Sequence, residues 1–461
     1  MFAPTRPNLH TGALLVLLLG VAACAPHELH RTDHNLCVRT SVEQECPQSS
    51  LQAYRDPANA AGEYTLGFVE LDDQGALWSR RQMQSVVTAA EAAATEDLLL
   101  VVFVHGWKHS AQAGDENIRT FRDGLRGLSE LESALAERTG QAARGVFGVY
   151  LGWRGASITA PVLKELTFWD RKNTAHKVGH GGVSEVLGQL EQIKRTKDAI
   201  AGGRGRSRTR LVVIGHSFGG AVVYSALSQL LVDRFVRTAG PVGQMSDVDG
   251  FGDLVVLINP AFEAVRYTTL SDMANERPPY LPSQLPVTAI LTSAADDATG
   301  KAFPLGRWLS TFWEKHRVME RPNAVTGETE HIDQEQANVT AIGHFEPYWT
   351  HALEASTPAA AGDAPPVGTA QELRQYAEVS GRWDRDSPGN VIDFTGSRLT
   401  RSANSVGRNP YLVIRVDGDL IRDHNHIDDP RLLSFIRQLI QLTAQSPDPK
   451  VRAEMRSRAA Q

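Results

Sequence analysis

The stretch RLVVIGHSFGGAVV, Arg210–Val223, decides how the whole chain is read. Leu211, Val212, Val213 and Ile214 form a short apolar, β-branched run of the kind that fills a strand buried on both faces. Past the glycines, the pairs Val222/Val223, Ala226/Leu227 and Leu230/Leu231 recur every four residues, the core stripe of a helix. Ser217 therefore sits at a corner where a strand turns at once into a helix. Such a corner strains the backbone at its apex and leaves no room for a side chain at Gly215 or Gly219. The serine hydroxyl then stands clear of the sheet, at the carboxyl end of its strands. The bland alternative is a glycine-rich connection with an incidental serine; the order strand, turn, helix speaks against it.

Working outward, apolar runs and helical periodicities alternate. DLLLVVFVHGW (Asp97–Trp107) reads as a central strand ending in a His-Gly turn, and GVFGVYLGW (Gly145–Trp153) as a second strand. Asn117–Arg138 and Ser184–Ile200 have helical spacing. Beyond the corner helix come the strands of Asp253–Ala261 and Pro286–Gly300, each followed by a loop. YLVIRVD (Tyr411–Asp417) reads as a last strand and Arg431–Ala444 as a final helix. Strands alternating with helices imply an α/β architecture, a mainly parallel central sheet flanked by helices. An aromatic-rich insertion, about residues 302–370, interrupts the pattern after the Pro286–Gly300 strand. Its Phe303, Trp308, Phe312, Trp313, Phe345, Tyr348 and Trp349 suit a lid, a wall or, as the preferred reading, the insertion's own core.

A net charge of −6 over 461 residues, with no basic stripe interleaved with aromatics, gives no support for a nucleic-acid partner. The amino terminus is more specific. The apolar run Ala13–Ala23 is too short to span a bilayer as a mature helix and suits the core of an export signal. Its end, Val21-Ala22-Ala23-Cys24, resembles the lipobox of bacterial lipoproteins, which implies a lipidated Cys24 and anchorage in a membrane, with Ala25 favouring the outer one. The expected organisation is a signal segment (1–23), an irregular tether (24–62), the main domain (63–445) and a polar tail (446–461). With Cys24 lipidated, Cys37 and Cys46 remain as a pair able to form a small disulfide loop in an oxidising compartment. There is neither a CxxC nor an HExxH pattern, so no metal ligands are assigned and no cofactor is expected.

Taken together, His105-Gly106-Trp107 after one strand, Gly215-His216-Ser217-Phe218-Gly219-Gly220 at the corner, and an acid and a histidine further on resemble the α/β-hydrolase family over roughly residues 65–445. The resemblance implies the α/β-hydrolase fold and a serine hydrolase acting on carboxylic esters, small-molecule or lipid, through an acyl-enzyme. Ser217 would be the nucleophile, and the N–H groups of Trp107 and Phe218 would form the oxyanion hole. A non-catalytic scaffold on the same fold, or an acyltransferase or thioesterase with the same triad, are the other readings. The acid falls in TSAADDATG, where Asp296 and Asp297 compete; the family-like pattern T-S-x-x-D-x-A-T selects Asp296. The base falls in GDLIRDHNHIDDP, between the last strand and the final helix. Asp423-His424-Asn425-His426-Ile427 resembles the family ending H-N-D-I with one departure, and selects His424 over His426. His105 and His216 are assigned structural roles, and His344 and His351 are expected to support the insertion.

Overall fold

The structure is a computed structural model that describes residues 27–155, 168–203, 206–241, 243–311, 313–356, 370–385 and 390–444. The expected signal segment, Cys24, most of the alanine- and proline-rich stretch and the polar tail lie outside these residues. In chain order the strands are β1 (Asp33–Arg39), β2 (Ser49–Tyr54), β3 (Tyr64–Glu70), β4 (Leu98–Val104), β5 (Gly145–Gly152), β6 (Arg210–His216) and β7 (Leu254–Ile258). They continue with β8 (Thr288–Ser293), β9 (Val318–Pro322), β10 (Thr329–Asp333), β11 (His351–Ala355), β12 (Val391–Phe394), β13 (Ser397–Arg401) and β14 (Tyr411–Val416).

Twelve of them form one sheet in the order β1-β2-β3-β5-β4-β6-β7-β8-β14-β11-β13-β12, with β9 and β10 apart as a hairpin. From β3 through β11 in that order every neighbouring pair is parallel. Antiparallel pairing is confined to the margins, at β2 with β3, β13 with β11, and β12 with β13.

Strand β4 shows why the centre is buried on both faces. All seven of its residues are apolar, and the two-residue period sends them alternately to opposite sides. Leu98, Leu100, Val102 and Val104 join a core with the helices Arg80–Ala93, Gly182–Ile200 and Phe218–Thr238. Leu99, Val101 and Phe103 join another with the helices Glu116–Thr139 and Pro430–Thr443. Helices thus cover both faces. In the corner helix, Val222, Val223, Leu227 and Leu231 are buried as the spacing requires.

Two expectations need correction. Residues 27–62 are not an irregular tether: β1 and β2 pair with each other and with β3, extending the main sheet. This polar segment folds because its polar groups find partners. The Arg31 side chain is fully buried, donates to the carbonyls of Ala111, Cys46 and Pro47, and lies 4.3 Å from the Phe68 ring centroid. Its backbone N–H donates to the Glu70 carboxylate at 2.8 Å, and its carbonyl accepts from Gln82 at 2.9 Å. A disulfide joins Cys37 and Cys46. Second, the aromatic-rich segment does not stay outside the core until residue 370, because β11 returns to the main sheet beside β14. Its aromatics divide: Phe303, Phe345 and Tyr348 are buried, while Trp308 and Trp313 are exposed. Phe312 lies outside the described residues.

Arg31 ties the amino-terminal strands to the loops at the carboxyl ends of β3 and β4. Arg31→Ala removes the donor to the Ala111, Cys46 and Pro47 carbonyls and empties a packed site. It is expected to cost about 3 kcal/mol in denaturant unfolding. An exposed arginine such as Arg119 replaced in the same way should change stability by less than about 0.5 kcal/mol.

Candidate active site

The carboxyl ends of β4, β6, β7 and β8 are level, since Val104 pairs with Gly215, His216 with Ile258, and Ile258 with Leu291. The candidate residues meet there. Ser217 occupies the junction between β6 and the Phe218–Thr238 helix with φ 56° and ψ −122°. That region is costly for a side-chain-bearing residue, on the order of 1–3 kcal/mol. Two hydrogen bonds hold the turn against β7: Ser217 N–H donates to the Ile258 carbonyl at 2.9 Å, and the Ser217 carbonyl accepts from Ala261 N–H at 3.1 Å.

The surrounding glycines are required by close approach. A Cβ on Gly219 would lie 2.0 Å from the Val104 carbonyl oxygen, and one on Gly215 would lie 2.7 Å from the Gly219 carbonyl oxygen. The corner helix therefore starts hard against the end of β4. Gly106 meets the serine from the other side, where a Cβ would come within 2.7 Å of the Ser217 Cβ.

Ser217 Oγ and His424 Nε2 are 2.6 Å apart, and His424 Nδ1 lies 2.9 Å from Asp296 Oδ2. With the carboxylate accepting from Nδ1–H, Nε2 is left to accept the serine proton. The serine, acid and histidine expected from the sequence are thus brought into one chain of hydrogen bonds. Asp297 and His426 are not. Asp297 faces solvent and pairs with Lys301 at 2.7 Å, and His426 is exposed and pairs with Asp423 at 2.5 Å.

The Asp296 carboxylate is fully buried at the side chain. Besides His424 it accepts from Ala298 N–H at 3.0 Å, from Thr299 N–H at 3.1 Å and from the Thr299 hydroxyl. Burial alone would push its pKa up. The hydrogen bond and charge of His424, together with the Thr299 bonds, outweigh burial and hold the carboxyl below the usual range.

Three further histidines surround this chain, and each is kept neutral by burial. His216 Nε2–H donates to the His424 carbonyl at 2.9 Å, and burial followed by the neighbouring His424 lowers its pKa to about 3. It fixes the base from behind. His105 is lowered to about 4 by burial; its Nε2 accepts from Trp153 N–H at 3.0 Å, so Nδ1–H donates to the Gly106 carbonyl at 2.9 Å. Because the Gly106–Trp107 peptide is trans, pinning that carbonyl turns the Trp107 N–H the opposite way. Phe218 begins the corner helix, where N–H groups carry the positive end of the helix dipole.

His344 was expected to serve the inserted segment alone. In the structure its Nε2 lies 2.9 Å from the Thr299 hydroxyl that donates to Asp296, so it stands one residue behind the acid. Burial lowers its pKa. His351 is elsewhere, on β11 with Thr350. Sequence reasoning missed Asn259, which follows β7 with φ 43°. Its Nδ2 donates to the His424 carbonyl at 3.1 Å and its Oδ1 accepts from Ser293 N–H at 3.0 Å. An asparagine directly after a buried apolar strand was the available signal, since it tolerates a left-handed backbone.

Among the described residues no group of three or more His, Cys, Asp or Glu side chains converges as a metal site, and none is assigned to a cofactor. No protein-family model, no curated protein and no solved structure matches the chain.

The close approach at Gly219 can be tested independently of activity. Gly219→Ala forces a methyl onto the Val104 carbonyl and is expected to lower stability by about 3 kcal/mol, read by denaturant unfolding. Gly124→Ala serves as the control, because a Cβ there meets no atom within 4 Å. That substitution is expected to be neutral or stabilising by up to about 1 kcal/mol.

Proposed function

We propose that this protein is a serine hydrolase of the α/β-hydrolase kind that cleaves carboxylic esters through an acyl-enzyme. The observation that carries the reading is the continuous chain Ser217 Oγ–His424–Asp296, at 2.6 and 2.9 Å, set at the carboxyl ends of parallel strands. In this reading Ser217 attacks the ester carbonyl while His424 Nε2 takes the hydroxyl proton. The tetrahedral oxyanion is held by the N–H groups of Trp107 and Phe218. A donor of this type is worth roughly 3 kcal/mol in the transition state.

As the intermediate collapses, His424 returns the proton to the departing alcohol and the acyl group stays on Ser217. Water, deprotonated by the same nitrogen, then attacks the acyl-enzyme and releases the acid. Asp296 remains ionised throughout, holding His424 in the required tautomer and stabilising the imidazolium. The strain at Ser217 favours catalysis over a scaffold role, since a scaffold gains nothing from a hydroxyl held against a histidine on a costly backbone. The lipobox-like ending at Cys24 adds a lipid anchor to this reading and places the enzyme on a bacterial membrane.

The test is labelling by a fluorophosphonate probe together with turnover of p-nitrophenyl esters. Ser217→Ala is expected to abolish both while leaving the folded spectrum unchanged. His424→Ala and Asp296→Asn are each expected to lower kcat by about 10⁴-fold or more, with Asp297→Asn and His426→Ala within about threefold of the parent. Equal losses at the two aspartates would overturn the assignment of the acid. Because the Asp296 carboxyl is held below its usual range, it stays charged through mildly acidic pH.

A further inference from the structure

We infer that the mouth of the active site faces the bilayer that carries the lipid anchor, and that Trp78, Trp308 and Trp313 are its contacts with the lipid surface. The inference rests on the reading of Cys24 as lipidated and deepens the hydrolase reading, since it makes esters resident in that leaflet the natural substrates.

The argument begins with where the folded chain starts. Only Ala25 and Pro26 separate Cys24 from His27, whose ring packs on Trp78 at 5.0 Å between centroids. Three residue steps reach about 10 Å at full extension. A lipid on Cys24 therefore holds the body flush with the headgroups, with no room to swing over.

The point of entry fixes which surface is held there. Strand β2 runs antiparallel to β3, and β1 runs parallel to β2, so β1 begins at the carboxyl end of β3. The preceding residues stay at that end: the N–H groups of His30 and Arg31 donate to the carboxylate of Glu70, the last residue of β3, and Arg31 Nε donates to the Ala111 carbonyl beyond β4. Ser217 lies at the same end of the sheet, five strand positions from β1 in the order β1-β2-β3-β5-β4-β6. At the usual spacing that is about 24 Å.

Exposed indoles occur on the segments that follow β3 and β8, strands on either side of β6 in the sheet. Trp78 is 36% exposed beside the entry point, and its backbone N–H donates to the Glu70 carbonyl. Beyond the acid loop, the helix Phe303–Thr311 is tied to the carboxyl end of the sheet by Arg307, 3.0 Å from the carboxylate of buried Glu263, which follows β7. That helix carries Trp308, 51% exposed, and Trp313 just after it is 91% exposed. Tryptophan is costly to leave in water and favoured at the headgroup level, where its ring is half immersed and its N–H stays wet. No helix among the described residues is long and apolar enough to cross a membrane.

The experiment uses the full lipidated chain on vesicles of phosphatidylethanolamine and phosphatidylglycerol, with and without acyl chains brominated near the headgroup. The expected result is quenching of tryptophan fluorescence by the brominated lipid, reduced in Trp308→Phe/Trp313→Phe. Trp308→Ala/Trp313→Ala should turn over a vesicle-embedded ester about tenfold more slowly while its turnover of a water-soluble ester stays within about twofold. A twenty-residue Gly/Ser insertion between Pro26 and His27 should have the same selective effect by freeing the body to tumble. Quenching that is absent, or unchanged in the double Phe variant, overturns the orientation, as does an equal loss on both esters. Failure of the underlying readings is separately visible. A mass without diacylglycerol refutes the anchor, and a parent protein that never turns over the soluble ester refutes the hydrolase.

Discussion

The backbone of Ser217, at φ 56° and ψ −122°, is the constraint from which the rest of the site follows. A residue with a side chain reaches that conformation only if its neighbours leave it no other. Here β6 ends, the helix begins, and the turn between them is bonded to both sides of the β7 end, through Ile258 and Ala261. The cost of roughly 1–3 kcal/mol is spread over packing that exists for other reasons, the parallel sheet and its covering helix. Gly215, Gly219 and Gly106 then become necessary in turn, because the corner brings three backbones into contact. Two more side-chain-bearing residues with positive φ, Lys108 and Asn259, follow the neighbouring strands β4 and β7. These three strained residues lie at one end of the sheet, where the Ser217 hydroxyl meets His424.

Holding His424 is a different problem, since it sits on a loop rather than at a strand end. The structure addresses it through the backbone. His216 and Asn259 both donate to the His424 carbonyl, and the Ser293 hydroxyl donates to the Ile421 carbonyl at 2.5 Å. Those three donors come from the ends of β6, β7 and β8, so the rigid sheet fixes the loop as firmly as it fixes the serine. A histidine placed by its side-chain bonds alone would lose its position each time the serine proton moved.

Much of this was legible in the sequence because it is local. The strand of Leu98–Val104, the corner at Ser217 and the final helix announce themselves by periodicity within ten or so residues. The triad required more, and the choices of Asp296 over Asp297 and His424 over His426 came from patterns of a resembling family. In space the reason is burial: one member of each pair points inward and its neighbour into solvent. What stayed hidden has no local signature. Residues 33–54 are polar and read as a tether, yet they pair as strands because Arg31, Glu70 and Gln82 satisfy one another from distant positions. His344 reads as part of the insertion because its partner, Thr299, is 45 residues away. Asn259 looks like an ordinary strand terminator until the loop it supports is seen.

Under the proposed mechanism, burial also explains how a site with four histidines keeps one of them for proton transfer. His105 and His216 are enclosed and His344 is partly so, and burial disfavours the charged ring. Each serves instead as a neutral donor with a fixed tautomer, to the Gly106 carbonyl, the His424 carbonyl and the Thr299 hydroxyl respectively. His424 alone among them has a carboxylate as its direct partner. That carboxylate accepts four hydrogen bonds, from Ala298, Thr299 twice and His424, which is about the capacity of an ionised carboxyl group. With its lone pairs used, Asp296 has no acceptor position left for a proton of its own. Its charge is therefore available to an imidazolium at His424 and not neutralised by protonation. In the proposed mechanism the three neutral rings and the saturated carboxylate together leave a single route for the serine proton, onto His424 Nε2.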